Sequence, residues 1–131
     1  MQILKNNSEA KANSFLFYLH ERSVFNEDAF WEYYESLKES TRQLITTNLL
    51  DKEICILISR TYSYIMRSFI ASLNNEDLYF INNLPQNKLI HFTERLHEVF
   101  NGYFQCYILD ESLFDDGLIN PYIIEDIKVP E

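Results

Sequence analysis

Glycine and proline are scarce in this chain of 131 residues, which contains two glycines and three prolines. A glycine-rich phosphate-binding loop is excluded because Gly102 and Gly117 are far apart and no other glycine exists. Few turn formers also favour long regular elements, helices first. Hydrophobic residues make up 47% of the chain, enough for a core. We therefore predict a mainly α, single-domain multi-helix bundle over residues 1–131.

Cysteines and long apolar runs are also few. Cys55 and Cys106 form no CxxC motif, so we expect reduced thiols packed inside rather than a disulfide. The apolar run at 15–19 is too short for a signal peptide. No stretch approaches the roughly twenty apolar residues of a membrane span. These observations predict a soluble cytoplasmic protein that does not associate with membranes.

Positively charged residues are also few: the chain has 11 lysines and arginines and 20 carboxylates, which gives a net charge of −9. Within 101–131, seven carboxylates stand against Lys128 alone. No basic run is present, so direct binding to nucleic acid is disfavoured. An acidic surface attracts basic proteins instead, and we expect a partner of that kind.

The strongest helical pattern spans 51–73. Asp51 is a suitable N-cap, and apolar residues then recur every three or four positions. This length and this apolar stripe predict the central helix of the bundle. The stripe consists of Ile54, Ile58, Tyr62, Ile65, Phe69 and Leu73.

Weaker patterns predict the remaining helices. One is expected at 9–21, and another follows Asn26, which has the side chain of an N-cap. A third is expected at 40–50, beginning at Ser40 or Thr41. A short helix at 76–82 and a longer one at 87–101, with Asn101 and Gly102 as its C-cap, complete the set.

Residues 101–131 allow more than one interpretation. Asn101-Gly102 is also a hairpin signal, although we favour the helix. The segments 103–109 and 122–129 could pair as strands of a small C-terminal β-hairpin. They could equally form one more helix followed by a packed tail.

No catalytic motif is evident. Glu94 and His97 form an ExxH pair with His91 nearby, but the two histidines are six positions apart and point roughly 120° away from each other on a helix. A di-metal site would need a second ExxH, which the sequence lacks. We expect no metal, no cofactor and no catalytic residues.

Two groups of carboxylates are candidates for binding a partner. The first is a ridge at helical spacing, and the second interleaves aromatic and acidic residues near a turn, a composition typical of binding surfaces. The ridge is Glu32, Glu35 and Glu39, and the second group is Tyr107, Asp110, Glu111, Asp115 and Asp116.

A small acidic chain that is rich in aromatic residues and has no catalytic motif resembles the immunity proteins of bacterial toxin systems. This resemblance is one of composition over the whole chain. It implies binding and neutralisation of a cognate toxin, commonly a nuclease, whose basic cleft an acidic inhibitor would occupy or flank. The alternatives are a helical adaptor or regulatory inhibitor, and a helical metalloenzyme that uses Glu94 and His97.

Overall fold

The computed structural model describes residues 2–73 and 80–123. These ranges form a mainly α multi-helix bundle, as predicted, and contain no β-strand. Five longer α-helices are α1 (Gln2–Ser8), α2 (Phe15–Glu21), α3 (Glu27–Thr47), α4 (Lys52–Ser72) and α5 (Leu89–Gln105), and residues 121–123 are also helical. Short 3₁₀ turns lie at Gln86–Lys88 and Glu111–Leu113. Within the same ranges, no helix has the length and apolar character needed to cross a bilayer.

Side-chain caps fix where three of the helices begin. The side chain of Asn26 accepts a hydrogen bond from the Ala29 amide at 2.9 Å, and Asp51 accepts one from the Glu53 amide at 2.8 Å, as their sequence positions predict. The Ser14 hydroxyl accepts a hydrogen bond from the Phe17 amide at 3.1 Å in the same way.

The predicted first helix at 9–21 is correct only in its second half. Residues 9–14 form a connection in which Ala10 and Asn13 take positive φ angles of 51° and 73°. The helix begins after Ser14. The Ser14 side chain caps the helix, and its extended backbone prevents the helix from starting earlier in the chain. The preceding helix α1 has few apolar residues, which is why its pattern is weak.

The predicted break before Ser40 or Thr41 is absent, because α3 continues to Thr47. Both residues are buried inside the helix rather than capping a new one. The Thr41 hydroxyl donates to the Leu37 carbonyl at 2.9 Å, one turn earlier, so the helix itself satisfies this polar group. The helix ends at Asn48, whose φ of 53° is left-handed.

Helix α4 occupies the interval predicted for the longest helix, and its Ile58, Ile65 and Phe69 are buried. The most deeply enclosed helix is nevertheless α3, which packs against α1, α2 and α5. Eleven of its side chains are buried, compared with five on α4. The outer face of α4 remains exposed at Ile56 and Ile70.

Aromatic rings form the centre of the core. The rings of Phe25 and Phe92 lie 5.0 Å apart between centroids, and so do those of Phe30 and Phe92. Trp31 and Tyr34 extend the cluster along α3 at 5.2 Å from each other. The edge-to-face contact of Phe30 with Phe92 joins α3 to α5.

Helix α5 passes through Asn101-Gly102 and is capped at Cys106, whose φ is 61°. The predicted C-cap at Asn101 and Gly102 is therefore wrong, and so is the alternative hairpin. A Cβ on Gly102 would lie 2.7 Å from the Tyr107 carbonyl oxygen. Glycine is required here because the chain returns across the last turn of the helix, not because the helix ends.

The other expectations for the second half are corrected as follows. Residues 80–82 are not helical, since Asn82 forms an isolated parallel bridge with Val24, and 76–79 lie outside the described residues. In the predicted strand segment 103–109, residues 103–105 belong to α5 and Cys106 is its left-handed C-cap. Residues 107–109 form no strand, 122–123 are helical, and 124–131 lie outside the described residues, so the described part of this region contains no hairpin. Both cysteines are free thiols, but Cys106 is exposed and Cys55 only half-buried.

Candidate protein-binding site

Arg95 holds the segment after α5 against the bundle. Its Nε and Nη2 donate to the two carboxylate oxygens of Asp116 at 2.8 and 3.1 Å, and its Nη1 donates to Glu111 at 2.7 Å. The guanidinium also lies between two rings, 4.1 Å from the centroid of Phe114 and 5.6 Å from that of Trp31. Arg95 therefore joins α5, α3 and residues 111–116.

A second cation completes the same network from α3. Lys38 is only 3% exposed, and its Nζ lies 3.2 Å from Glu35 and 3.5 Å from Glu111. Glu111 also accepts a hydrogen bond from the Tyr34 hydroxyl at 2.6 Å, while Asn120 donates to Glu35 at 2.9 Å. Burial, reinforced by Glu111, raises the pKa of Tyr34 well above its usual value, so this hydroxyl stays protonated.

Three carboxylates that the sequence analysis assigned to a partner are thus paired within the protein. Glu35, Glu111 and Asp116 are side by side with Arg95 and Lys38, and their side chains are 17%, 10% and 10% exposed. The predicted outward ridge of α3 is interrupted at Glu35 for this reason. Buried cations require carboxylate partners, and these three supply them.

The anchored segment borders a groove of about 940 Å³ between α4, α5 and residues 107–116. Its wall on the loop side includes Tyr107, Asp110, Asp115 and Asp116 from the predicted site. Its opposite wall includes Tyr62 and Met66 of α4. The structure therefore brings together four of the eight predicted residues and adds side chains from two helices to them.

The charge of this groove is negative. Among the described residues that line it, five are carboxylates and none is lysine or arginine. The carboxylates are Glu94, Glu98, Asp110, Asp115 and Asp116. Of these, Asp116 is held by Arg95, whose hydrogen bond lowers the pKa of Asp116 below its usual range. The negative charge of the other four carboxylates attracts a cation that enters the groove.

The loop carboxylate Asp110 is also oriented by its neighbours. It caps the 3₁₀ turn at 111–113, accepting hydrogen bonds from the Ser112 hydroxyl at 2.6 Å and from the Ser112 amide at 3.1 Å. The hydroxyl and then the amide lower the pKa of Asp110. This carboxylate is thus fixed in its ionised form at the rim of the groove.

Apolar and aromatic side chains line the groove between the carboxylates. Tyr62 stacks on Phe100 with ring centroids 4.0 Å apart, and Met66, Leu109 and Phe114 continue the apolar surface. Burial raises the pKa of Tyr62. Leu113 is the most exposed large hydrophobic residue of the described ranges, at 81%. A charged rim around an apolar floor is the usual layout of a protein-binding surface.

The histidines of the groove do not converge. Nδ1 of His91 lies 3.5 Å from Glu94, whereas Nδ1 of His97 lies 3.1 Å from the Tyr62 hydroxyl and its Nε2 faces Asn101. Across residues 2–73 and 80–123, no group of three or more His, Cys, Asp or Glu is placed to hold a metal ion.

The rest of the predicted ridge lies elsewhere. Glu32 and Glu39 are exposed on α3 but do not line the groove. Glu39 forms an exposed pair with Arg42 at 3.1 Å. Of the ridge, only Glu35 lies beside the second group, because Lys38 contacts both Glu35 and Glu111.

Sequence reasoning missed Glu94 and Glu98 as candidates for partner binding. The ExxH pattern marks Glu94 only as a possible metal ligand, although Glu94 is four positions before Glu98 on the polar face of α5. The sequence signal for Glu94 and Glu98 is their common position on the side of α5 that is opposite the buried residues Phe92, Leu96 and Val99. Only the fold shows that the 107–116 segment lies alongside it.

Comparison with known proteins finds no family model, curated protein or solved structure that matches this chain. The geometry and charge of the groove are therefore the basis for a functional proposal.

Proposed function

We propose that this protein is an immunity protein that binds and neutralises a cognate bacterial toxin in the cytoplasm. The toxin would present a basic surface, as a nuclease does around its catalytic cleft, and the groove would receive part of it. Inhibition would be stoichiometric and would require no bond to be broken by this chain.

One observation carries this proposal: a groove of about 940 Å³ has five carboxylates, of which only Asp116 is held by Arg95, and no lysine or arginine among its described lining residues. Acidic residues of this kind accelerate encounter with a basic protein and select against acidic ones. The exposed Leu113 and the half-buried Tyr62 supply the apolar contact area that charge alone does not provide.

The direct test is protection in cells. The gene adjacent to the one that encodes this chain would be expressed with and without it, and survival and co-purification would be measured. We expect growth arrest by the neighbouring protein alone, rescue on co-expression, and a complex of equal stoichiometry. A toxic neighbour that is neither rescued nor bound would contradict the proposal.

A matched pair of variants connects this test to the groove. Glu94→Gln/Asp115→Asn removes two exposed carboxylates from the groove, and Glu32→Gln/Glu39→Gln removes two exposed ones from α3. Both change the net charge equally, so they have similar effects on long-range attraction. Loss of protection with the first pair and retention with the second is the expected outcome.

A further inference from the structure

The acidic groove continues into a second, apolar depression along α4 and α5. This depression has a volume of about 280 Å³, and Met66 and Thr93 line both it and the groove. The two together form one furrow between the helices. Along α4 and its C-cap the furrow extends from Tyr62 to Leu73, about 16 Å at the rise of an α-helix.

The two ends of the furrow differ in chemistry. The far depression is lined by Ile70, Leu73 and Ile90, which are 64%, 58% and 60% exposed, and by no charged residue among those described. The near end carries Glu94 and Asp115. Positive charge is therefore favoured at one end and apolar surface at the other.

We propose that the furrow binds one amphipathic helix of the toxin, with lysine or arginine at one end and leucine- or isoleucine-like residues at the other. This inference rests on the proposed function and names the segment of the partner that is recognised. A furrow of about 16 Å takes roughly three helical turns, and the groove between two adjacent helices such as α4 and α5 can accept a third helix. Because one half of the furrow is acidic and the other apolar, the cationic end of the bound helix lies in the acidic half and its apolar end in the other.

Charge distinguishes this occupant from the others that an apolar depression could take. A second copy of this chain would bring a net charge of −9 towards the acidic end, and an anionic membrane would be repelled there. A helix that carries cations at one end is attracted by the carboxylates and positioned by them before its apolar end is buried.

Peptide binding tests this inference with the full chain. The probe is a fluorescein-labelled peptide of about fourteen residues with lysine and arginine confined to one half and leucine and isoleucine to the other, and its partner is a peptide of identical composition in which the two classes are interspersed. We expect the segregated peptide to bind at least about tenfold more tightly in fluorescence anisotropy. Equal affinity of the two peptides would overturn the inference.

Protein variants locate the binding. Glu94→Gln/Asp115→Asn alters the acidic end, Ile70→Ser/Ile90→Ser alters the apolar end, and Ile45→Ser/Leu49→Ser alters exposed apolar residues outside the furrow. All six side chains are exposed, so we expect each variant to stay folded, and circular dichroism checks this. The first two variants should each weaken peptide binding at least about fivefold and the third should not. An effect of the acidic variant alone would reduce the site to a charged patch and overturn the inference.

The same variants separate this inference from the proposed function. If Ile70→Ser/Ile90→Ser still protects cells and still binds the toxin with unchanged affinity, the furrow is not the helix site, although the immunity role stands. If the segregated peptide binds as expected but no protection is observed, the proposed function fails and the helix-binding furrow remains. Sedimentation of the free protein adds one check, because a dimer dissociated by Ile70→Ser/Ile90→Ser would show that a second copy occupies the furrow instead.

Discussion

Arg95 and Asp116 are joined by two hydrogen bonds, from Nε at 2.8 Å and from Nη2 at 3.1 Å, across an interval of 21 positions in the chain. This planar pairing is the geometry in which a guanidinium binds a carboxylate most strongly. It fastens the loop after α5 to the core and thereby gives the groove its second wall.

Replacement of Arg95 should therefore destabilise the whole fold. Arg95→Met keeps much of the side-chain volume but leaves Asp116 without its buried cation and Glu111 with Lys38 alone. We expect a loss of about 3–5 kcal/mol in the free energy of unfolding, measured by urea denaturation. Arg42→Met, which breaks an exposed pair with Glu39, should cost less than about 1 kcal/mol. Equal effects of the two changes would show that the buried network does not stabilise the loop.

The acid sensitivity of the protein should depend on Asp116. Its pKa is lowered in the folded protein by Arg95, so the stabilisation is complete above the unfolded value near about pH 4 and is lost as the pH falls through the lower folded value. The difference in unfolding free energy between wild type and Asp116→Asn should be largest near neutral pH and should narrow below about pH 4. Asp115→Asn, which removes one neighbouring exposed carboxylate, is the control for net charge. A difference that stays constant from neutral to acid pH would exclude this role for Asp116.

Gly102→Ala tests the reason for glycine within α5. In an ordinary helix this change stabilises by up to about 1 kcal/mol. Here the new methyl group would meet the Tyr107 carbonyl oxygen at 2.7 Å, and backbone must move to relieve the contact. We expect a net destabilisation of about 1–3 kcal/mol in thermal or urea unfolding. The control is Gln105→Ala at an exposed position of the same turn, and a variant at 102 that is more stable than wild type would refute the close approach.

The sequence predicts the helices where periodicity and caps agree. Asp51 with the stripe that follows it, and Asn26 with the acidic first turn of α3, specify their helices without reference to the rest of the chain. Prediction fails at Thr41, because a hydroxyl that can begin a helix can also bond to the carbonyl one turn earlier inside it. The prediction for Gly102 fails because glycine is needed there for contact with Tyr107, which lies beyond the end of the helix.

The site is less predictable than the fold because charge pairing is a property of tertiary structure. Asp115 and Asp116 are adjacent and chemically identical, yet one is exposed and the other binds Arg95. Glu35 likewise turns to Lys38 and Asn120, the latter 85 positions away, so a ridge that is regular in sequence is not regular in space. Composition indicates that the protein is acidic, but only the fold separates the carboxylates that neutralise internal cations from those that remain exposed.

The most direct test of the acidic groove is the affinity for the proposed toxin, compared between Glu94→Gln/Asp115→Asn and Glu32→Gln/Glu39→Gln at two ionic strengths of roughly 0.05 and 0.5 M. We expect the groove variant to bind at least about tenfold more weakly than wild type at low salt, with a faster dissociation rate, and the α3 variant to differ mainly in its association rate. Tight binding by the groove variant at both ionic strengths, with the same dissociation rate as wild type, would contradict the assignment of this groove as the binding surface.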